Sequence, residues 1–373
     1  MRKFLAEEMP PAAISSKGFQ DYHCHGDRSF TFNARYFTHQ GPFENFIDAS
    51  LPVKQITVGV LHRGLAYTTE SQRQRMTWLI EAKIAAGEVR VNLITDCSPD
   101  IEGRAFEVAL ELRKKYQKKI DIHVGAYPIF GFKTRDSDRQ KHIEQLAKRA
   151  QFLVGLPERD HRPWNPKRIG FGGHLATLLE IGIDNQIPIQ VHVDQTNMPE
   201  ENGTEQLIEA VRYLITNRLP ENRRPKVWAV HMISPSGYSE ARYEKMVWGL
   251  KENNIGVICA PRAAASMRQP RHITGPTRSS IARVRYLAYA GIDVRLGTDN
   301  INDLFMPLPL SPLLVREIDS LADAERYYNV SVLSKIARAE RLNETDLDSI
   351  ARSLAGDYEA WGLPHGWKQF RKF

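Results

Sequence analysis

Residues 187–194 have the sequence IPIQVHVD, a short apolar, β-branched run that ends in a histidine and an aspartate. A run of this length and composition predicts a buried β-strand. Seven similar runs occur along the chain, and the segments between them have the apolar spacing of amphipathic helices. The eight predicted strands cover residues 18–25, 89–97, 120–127, 152–156, 187–194, 226–233, 255–260 and 292–297.

Strands that alternate with helices in this way are typical of a (β/α)8 TIM barrel, which takes about 250 residues plus insertions. The chain of 373 residues has room for one. Alternation alone also fits an open, doubly wound sheet. Residues 55–62 (QITVGVLH) could form an extra strand. No linker or repeat divides the chain, so we expect a single domain over residues 1–373, with a helical extension from about residue 312.

The composition is that of a soluble globular protein, with 42% hydrophobic and 25% charged residues. No apolar run approaches the roughly 18 residues of a membrane span, and the first residues lack the apolar segment of a signal peptide. The three cysteines show no paired spacing, which favours a reducing compartment. We therefore expect a cytoplasmic protein without a membrane partner.

The formal net charge of +7 is compatible with a polyanionic partner or with an anionic small substrate. The densest basic runs, residues 113–119 and 367–372, lie at the end of a helical pattern and at the chain terminus. A solvated surface is the simpler explanation for both. We expect no nucleic-acid partner.

Metal-binding residue types follow four of the predicted strands. His23 and His25 lie two residues apart, so on a strand they face the same side, at the end where barrel enzymes have their active sites. An HxH pair alone is weak evidence, but His192, His231 and Asp299 occupy the ends of three later strands. Imidazoles and a carboxylate suit Zn²⁺ or Fe²⁺ with an open position for water. The pattern predicts a hydrolase that uses metal-activated water.

These residues, in this order, resemble the amidohydrolase superfamily, and within it the cytosine deaminases. The resemblance extends from His23 to about Leu308. Besides the histidines it includes the segments 90–96, 126–128, 154–157, 260–261 and 299–303.

The resemblance implies a role for each matching residue. His23, His25, His192 and Asp299 would bind one divalent metal, Zn²⁺ or Fe²⁺. His231 would hydrogen-bond the activated water, or itself coordinate the metal. Asp299 would also accept the proton of the attacking water. The residues implied to contact a flat heterocyclic substrate are Asn300 and Phe305, although packing beside Met306 and Pro307 explains Phe305 equally well. We add Asp303, Asp160 and Ile129 as candidate pocket residues.

Two departures from the family pattern bear on the reaction. Gln195 stands where the family deaminases have a glutamate that protonates the ring and the departing amine. An amide orients a group by hydrogen bonding but exchanges no proton near neutral pH. Ile129 takes the place of a substrate-binding glutamine. The β-sandwich usual in the family has no obvious sequence here, so it is expected to be absent or much reduced.

We therefore expect hydrolysis at an sp² carbon of a small cyclic amide, imine or amino-heterocycle, with cytosine itself an unexpected substrate. Deamination and ring-opening hydrolysis both remain open, and a homo-oligomer is expected. The alternative is a metal-binding pseudoenzyme on the same fold, which Gln195 favours. Asp27 and Arg28, directly after the HxH pair, could lie at the rim of the site, although an ordinary surface ion pair is the simpler prediction.

Overall fold

The computed structural model describes residues 18–36, 51–133, 137–161, 166–266, 280–307 and 312–372. All eight predicted strands are present, each shortened by at most two residues at either end. Their bounds are β1 Gln20–His25, β2 Arg90–Asp96, β3 Asp121–Tyr127, β4 Phe152–Gly155, β5 Ile189–Val193, β6 Val227–His231, β7 Ile255–Cys259 and β8 Val294–Leu296.

The strands form one sheet in the sequential order β1 to β8. The pairs β2–β3, β3–β4, β6–β7 and β7–β8 are parallel. Beyond the end of β8, Asp299 forms a parallel bridge with Cys24 on β1, which joins the first strand to the last. A doubly wound sheet reverses its strand order, so the sequential order excludes that alternative. The fold is the predicted (β/α)8 barrel.

Helices connect the strands and follow the last one. Within the described residues they are α1 Leu51–Arg63, α2 Thr69–Ala85, α3 Arg104–Tyr116, α4 Ser137–Ala147, α5 Phe171–Asn185, α6 Gly203–Val211, α7 Glu240–Glu252, α8 Pro261–Ser266, α9 Val284–Tyr289, α10 Val315–Glu325, α11 Val330–Ala337 and α12 Glu344–Ala360. None of them is long and apolar enough to cross a membrane.

Residues 55–62 do not form the possible extra strand, because this segment lies in α1. Among its side chains whose burial is described, Thr57, Val58, Leu61 and His62 are buried. This spacing of one and then three residues places them on one side of a helix, whereas a strand would bury alternate residues. The short apolar run VGVL was compatible with either structure.

The chain groups into two compact units. The first unit consists of Asp21–Gln190 and Thr298–Leu313, and the second of Val191–Gly297 and Leu314–Phe373 together with Met1–Gln20. Strands β2 to β4 lie in the first unit and β6 to β8 in the second, while the boundary falls within β5. All five residues of β5, of β6 and of β7 are buried, as expected for parallel strands covered on both faces.

Candidate metal centre

The first unit brings His23, His25 and Asp299 together. All three side chains are almost completely buried. Oδ1 of Asp299 lies 3.6 Å from Nε2 of His23 and 3.3 Å from Nε2 of His25. These distances exceed the 2.7–2.9 Å typical of charge-assisted hydrogen bonds. Two donor atoms bound to a tetrahedral zinc at about 2.0–2.1 Å would be about 3.4 Å apart. The donor set therefore fits a divalent metal better than it fits direct hydrogen bonding.

The ring of His23 is oriented by Gln190 on β5. The side-chain amide of Gln190 donates from Nε2 to the carbonyl of Tyr22 at 2.9 Å, which leaves its Oε1 as an acceptor. Nδ1 of His23 donates to that oxygen at 2.7 Å, so Nε2 carries the lone pair. Burial lowers the pKa of His23 to about 4 and keeps the imidazole neutral. A neutral ring held through its far nitrogen is the usual form of a metal-binding histidine.

Asp299 has a strained backbone that directs its carboxylate. Its φ is +55°, in the left-handed region that non-glycine residues rarely adopt. Its N–H donates to the carbonyl of His23 at 2.7 Å, and its carbonyl accepts from the N–H of His25 at 2.9 Å. Nδ2 of Asn300 donates to Oδ1 at 3.0 Å. Strain of this kind costs about 1–3 kcal/mol and persists where neighbouring contacts enforce it, often at functional sites.

Two other strand ends show the same backbone feature. Asp194, directly after β5, has φ +58°, and His231, the last residue of β6, has φ +77°. Together with Asp299, left-handed residues thus occur at three of the strand ends that the sequence predicted to be functional. Such outliers are a structural reason to place a site there.

The second unit contains His192 and His231. Both side chains are buried, and their ring centroids are 5.2 Å apart. The carboxylate of Asp194 accepts from the backbone N–H groups of Gly203 at 2.6 Å and Thr204 at 2.9 Å, at the start of α6. It therefore serves as a cap that fixes the loop after β5. Gln195, the next residue, is also buried.

Arg28 is buried, so its prediction as part of a surface ion pair is wrong. Only 2% of the residue is exposed, and Asp27 is completely buried. The guanidinium donates from Nη1 to Oδ1 of Asp96 at 3.1 Å and from Nη2 to Oδ1 of Asn300 at 3.4 Å. It also lies 5.0 Å from the ring centroid of Phe305. Arg28 thus links the end of β2 to the loop after β8.

A network of charged and polar side chains extends from Asp96 towards the surface. The hydroxyl of Tyr67 lies 2.9 Å from Oδ2 of Asp27 and 2.8 Å from Oδ2 of Asp96. His62 lies between Asp96, 3.2 Å from Nε2, and Asp100, 3.0 Å from Nδ1. The side chain of Asp100 is 41% exposed. The network therefore reaches solvent at the loop after β2.

Burial and neighbouring charges shift the pKa values in this network in different directions. Burial, reinforced by the negative charge of Asp96, raises the pKa of Asp27 to about 7. Burial alone would lower the pKa of His62, but the hydrogen bonds to Asp100 and Asp96 raise it to about 9. His62 is therefore a cation at neutral pH.

This network was not predicted from the sequence. Asp96 ends a predicted strand, as the recognised histidines do, so its position was a usable signal. His62 lies within an apolar run, and its partners Asp96 and Asp100 are more than 30 residues away along the chain. No local pattern could have identified it.

The predicted pocket residues fall into two groups within the first unit. Ile129 and Phe305 belong to one buried apolar cluster, and Asn300 contacts Asp299. Oδ1 of Asp303 accepts from the N–H groups of Phe305 and Met306 at 2.8 and 2.9 Å, and burial raises the pKa of Asp303 to about 6.

Asp160 has different contacts. Its Oδ2 accepts from the N–H of Phe132 at 2.8 Å and lies 2.7 Å from Nδ1 of His174, while Oδ1 lies 3.6 Å from Arg168. These contacts tie the loop after β3 to α5. They give Asp160 a clear structural role.

No family model matches the chain. An uncharacterized protein of Haemophilus influenzae is 24% identical over 255 residues, which cover 67% of this chain and 83% of that protein. Among solved structures, the chain is similar to 5-methylcytosine deaminase from Klebsiella pneumoniae liganded with 5-fluorocytosine. The TM-score is 0.69 at 21% identity, over 91% of this chain and 75% of that one.

Two further solved structures are similar over comparable lengths. N-isopropylammelide isopropylaminohydrolase from Burkholderia multivorans has a TM-score of 0.59 at 16% identity, over 95% of this chain and 75% of that one. Guanine deaminase from C. acetobutylicum has a TM-score of 0.51 at 14% identity, over 90% of this chain and 73% of that one. At these identities the likeness shows the fold. It agrees with the expected resemblance to cytosine deaminases.

Proposed function

We propose that this protein is a metal-dependent hydrolase that acts on a carbon–nitrogen bond of a small heterocyclic compound. The observation that carries the proposal is the convergence of His23, His25 and Asp299 in the first unit. All three are buried, and the Asp299 carboxylate lies 3.6 and 3.3 Å from the two imidazole nitrogens, separations suited to a shared metal ion. The similar folds of two deaminases and an aminohydrolase support the same reaction class.

The proposed metal ligands are His23, His25, His192 and Asp299, and the metal is Zn²⁺ or Fe²⁺. Such a metal would lower the pKa of a coordinated water towards about 7. Gln190 keeps Nε2 of His23 available, and Asn300 holds Oδ1 of Asp299 in place. Oδ2 of Asp299 would take the proton from the attacking water, and His231 would donate a hydrogen bond to the oxygen that develops negative charge.

The proposed substrate is a cyclic amide, imine or amino-heterocycle, including an anionic one. Phe305 and Ile129 would contact its apolar face, and Asn300 and Asp303 its polar edge. Gln195 would orient the substrate without exchanging a proton. Reactions with a good leaving group, or opening of a lactam-like ring, need less proton transfer than the release of ammonia does, so cytosine is not the expected substrate.

Metal content tests this proposal directly. The purified wild type is expected to contain about one equivalent of zinc or iron by elemental mass spectrometry, and the His192→Ala variant to have lost it. His123→Ala is the matched control, because His123 is a partly exposed histidine whose contacts are with Asp121 and Arg90. A wild type that stays metal-free after reconstitution with Zn²⁺ or Fe²⁺ would refute the proposal.

The alternative is a binding protein that keeps the metal and has lost turnover, and Gln195 is the observation that favours it. The two functions differ in a screen of heterocyclic amides and amines against the metal-loaded protein. Release of ammonia or a ring-opened product supports the hydrolase. Tight binding without product, together with turnover gained in Gln195→Glu, supports the alternative.

A further inference from the structure

Asp21 makes an unusual number of contacts for a residue with no role so far. It lies on β1, two residues before His23, and is completely buried. Its Oδ1 accepts from the N–H of His23 at 3.1 Å and from the N–H of Thr298 at 3.2 Å. Its Oδ2 accepts from the hydroxyl of Thr298 at 2.6 Å and from the ammonium of Lys83 at 2.7 Å. One carboxylate therefore joins both chain segments that carry the donor atoms.

The contact with Thr298 acts on the strained residue. Thr298 directly precedes Asp299, and both its N–H and its hydroxyl are held by Asp21. The next N–H, that of Asp299, is held by the carbonyl of His23 at 2.7 Å. Two successive N–H groups on the loop after β8 are thus fixed to β1. These hydrogen bonds hold Asp299 in its left-handed conformation, which is strained and persists only where neighbouring contacts enforce it.

Lys83 on α2 offsets the free-energy cost of burying the Asp21 carboxylate. The lysine is completely buried, and its ammonium also donates to Oε2 of Glu88 at 3.0 Å and to the carbonyl of Pro312 at 2.8 Å. All three of its N–H bonds have acceptors. A buried carboxylate without such a cation would carry a large desolvation penalty.

We propose that Asp21, paired with Lys83, is a positioning residue that presets the spacing of His23 and Asp299 before any metal binds. The inference rests on the proposed function for the identity of the metal. Because the contacts of Asp21 are to two backbone N–H groups, a threonine hydroxyl and the Lys83 ammonium, it fixes where the ligands lie and is not itself a ligand. Removing its charge should allow Asp299 to relax and should weaken metal binding.

Competition with a chelator measures the metal affinity. We expect Asp21→Asn to bind Zn²⁺ about 10–100-fold more weakly than the wild type, the range found for partners that orient metal ligands. Thr298→Val, which removes only the hydroxyl contact, should weaken binding less. It also keeps the test valid if Asp21→Asn does not fold.

A control separates positioning from general loss of stability. Glu317→Gln weakens another buried ion pair, between Glu317 and Arg262 in the second unit. It should lower the denaturant midpoint of the metal-free protein and leave the Zn²⁺ affinity unchanged. If Asp21→Asn and Thr298→Val lose stability but bind Zn²⁺ as tightly as the wild type, the positioning role is overturned and the proposed function is unaffected. A wild type that binds no metal would overturn the proposed function and this inference together.

Discussion

Arg28 is a charged side chain in the interior, and its stability depends on the groups around it. Asp96 pairs with its Nη1 at 3.1 Å, and Asp303 lies 3.8 Å from its Nε. Buried ion pairs of this kind contribute little net stability when intact, but losing one partner leaves an uncompensated charge. Arg28 also touches Asn300, which in turn holds Asp299. Loss of the Arg28 side chain would therefore remove a support of Asn300 and Asp299 at the candidate metal centre.

Arg28→Met is expected to lower the free energy of unfolding by about 3–5 kcal/mol, because Asp303 would lose the Arg28 cation and Asp96 would keep only its contact with His62. Urea denaturation measures the change. Arg73→Met is the control, since Arg73 pairs with Glu111 where their side chains are 39% and 53% exposed. An exposed pair should cost less than about 1 kcal/mol. Equal effects at the two positions would contradict the prediction.

Among the elements, the start of α6 connects most directly to the candidate site. Asp194 lies between His192 and Gln195 and accepts hydrogen bonds from Gly203, Thr204 and the hydroxyl of Thr204, the last at 2.5 Å. A cap supplied from a strand end fixes the helix and the strand end to each other. The loop of residues 195–202 is closed by this contact.

Asp194→Ala should lower the free energy of unfolding by at least about 2 kcal/mol, because buried N–H groups lose their acceptor. Chemical denaturation gives the value. The control is Asn343→Ala, which removes half of the reciprocal cap between Asn343 and Asp346 at the start of α12 and should cost about 1 kcal/mol. An Asp194→Ala variant less affected than Asn343→Ala would show that Asp194 is not the anchor of α6.

At the scale of the whole molecule, the His62 network gives stability a pH dependence. The pKa of His62 rises from 6.5 to about 9 on folding because Asp100 and Asp96 bind the cation. A raised pKa stabilises the folded state fully below pH 6.5, and this contribution is lost as the pH rises to about 9. The shift in the pKa of His62 corresponds to about 3 kcal/mol in the free energy of unfolding.

The wild type should therefore exceed His62→Gln in unfolding free energy by more at pH 6 than at pH 9.5, with a difference of up to about 3 kcal/mol. Denaturant titrations of both proteins at the two pH values test this. Comparing the two proteins removes the effect of carboxyls and cysteines that titrate in both. A constant difference between the two proteins would mean that His62 is neutral in the fold.

The strand ends account for most of what was predictable at the candidate site. His23, His25 and Asp299 are recognisable because short apolar runs predict strands, and a barrel places strand ends at one face. Their convergence within the first unit agrees with that argument. The placement of His192 and His231 beside them stays a prediction.

The sequence by itself determined where the eight strands lie along the chain and nearly their bounds, because periodic burial of apolar residues is a local property of the chain. It also determined which residues end those strands. The sequential order of the strands in the sheet, which the alternation of strands and helices left open, was decided by the tertiary structure. Only the tertiary structure decided that residues 55–62 are helical, that Arg28 and Asp27 are buried, and that Lys83, Asp21 and Thr298 meet. These outcomes depend on desolvation and on partners that are distant in sequence. The free energy of a buried charge is therefore determined by the groups packed around it, which no local sequence pattern reveals.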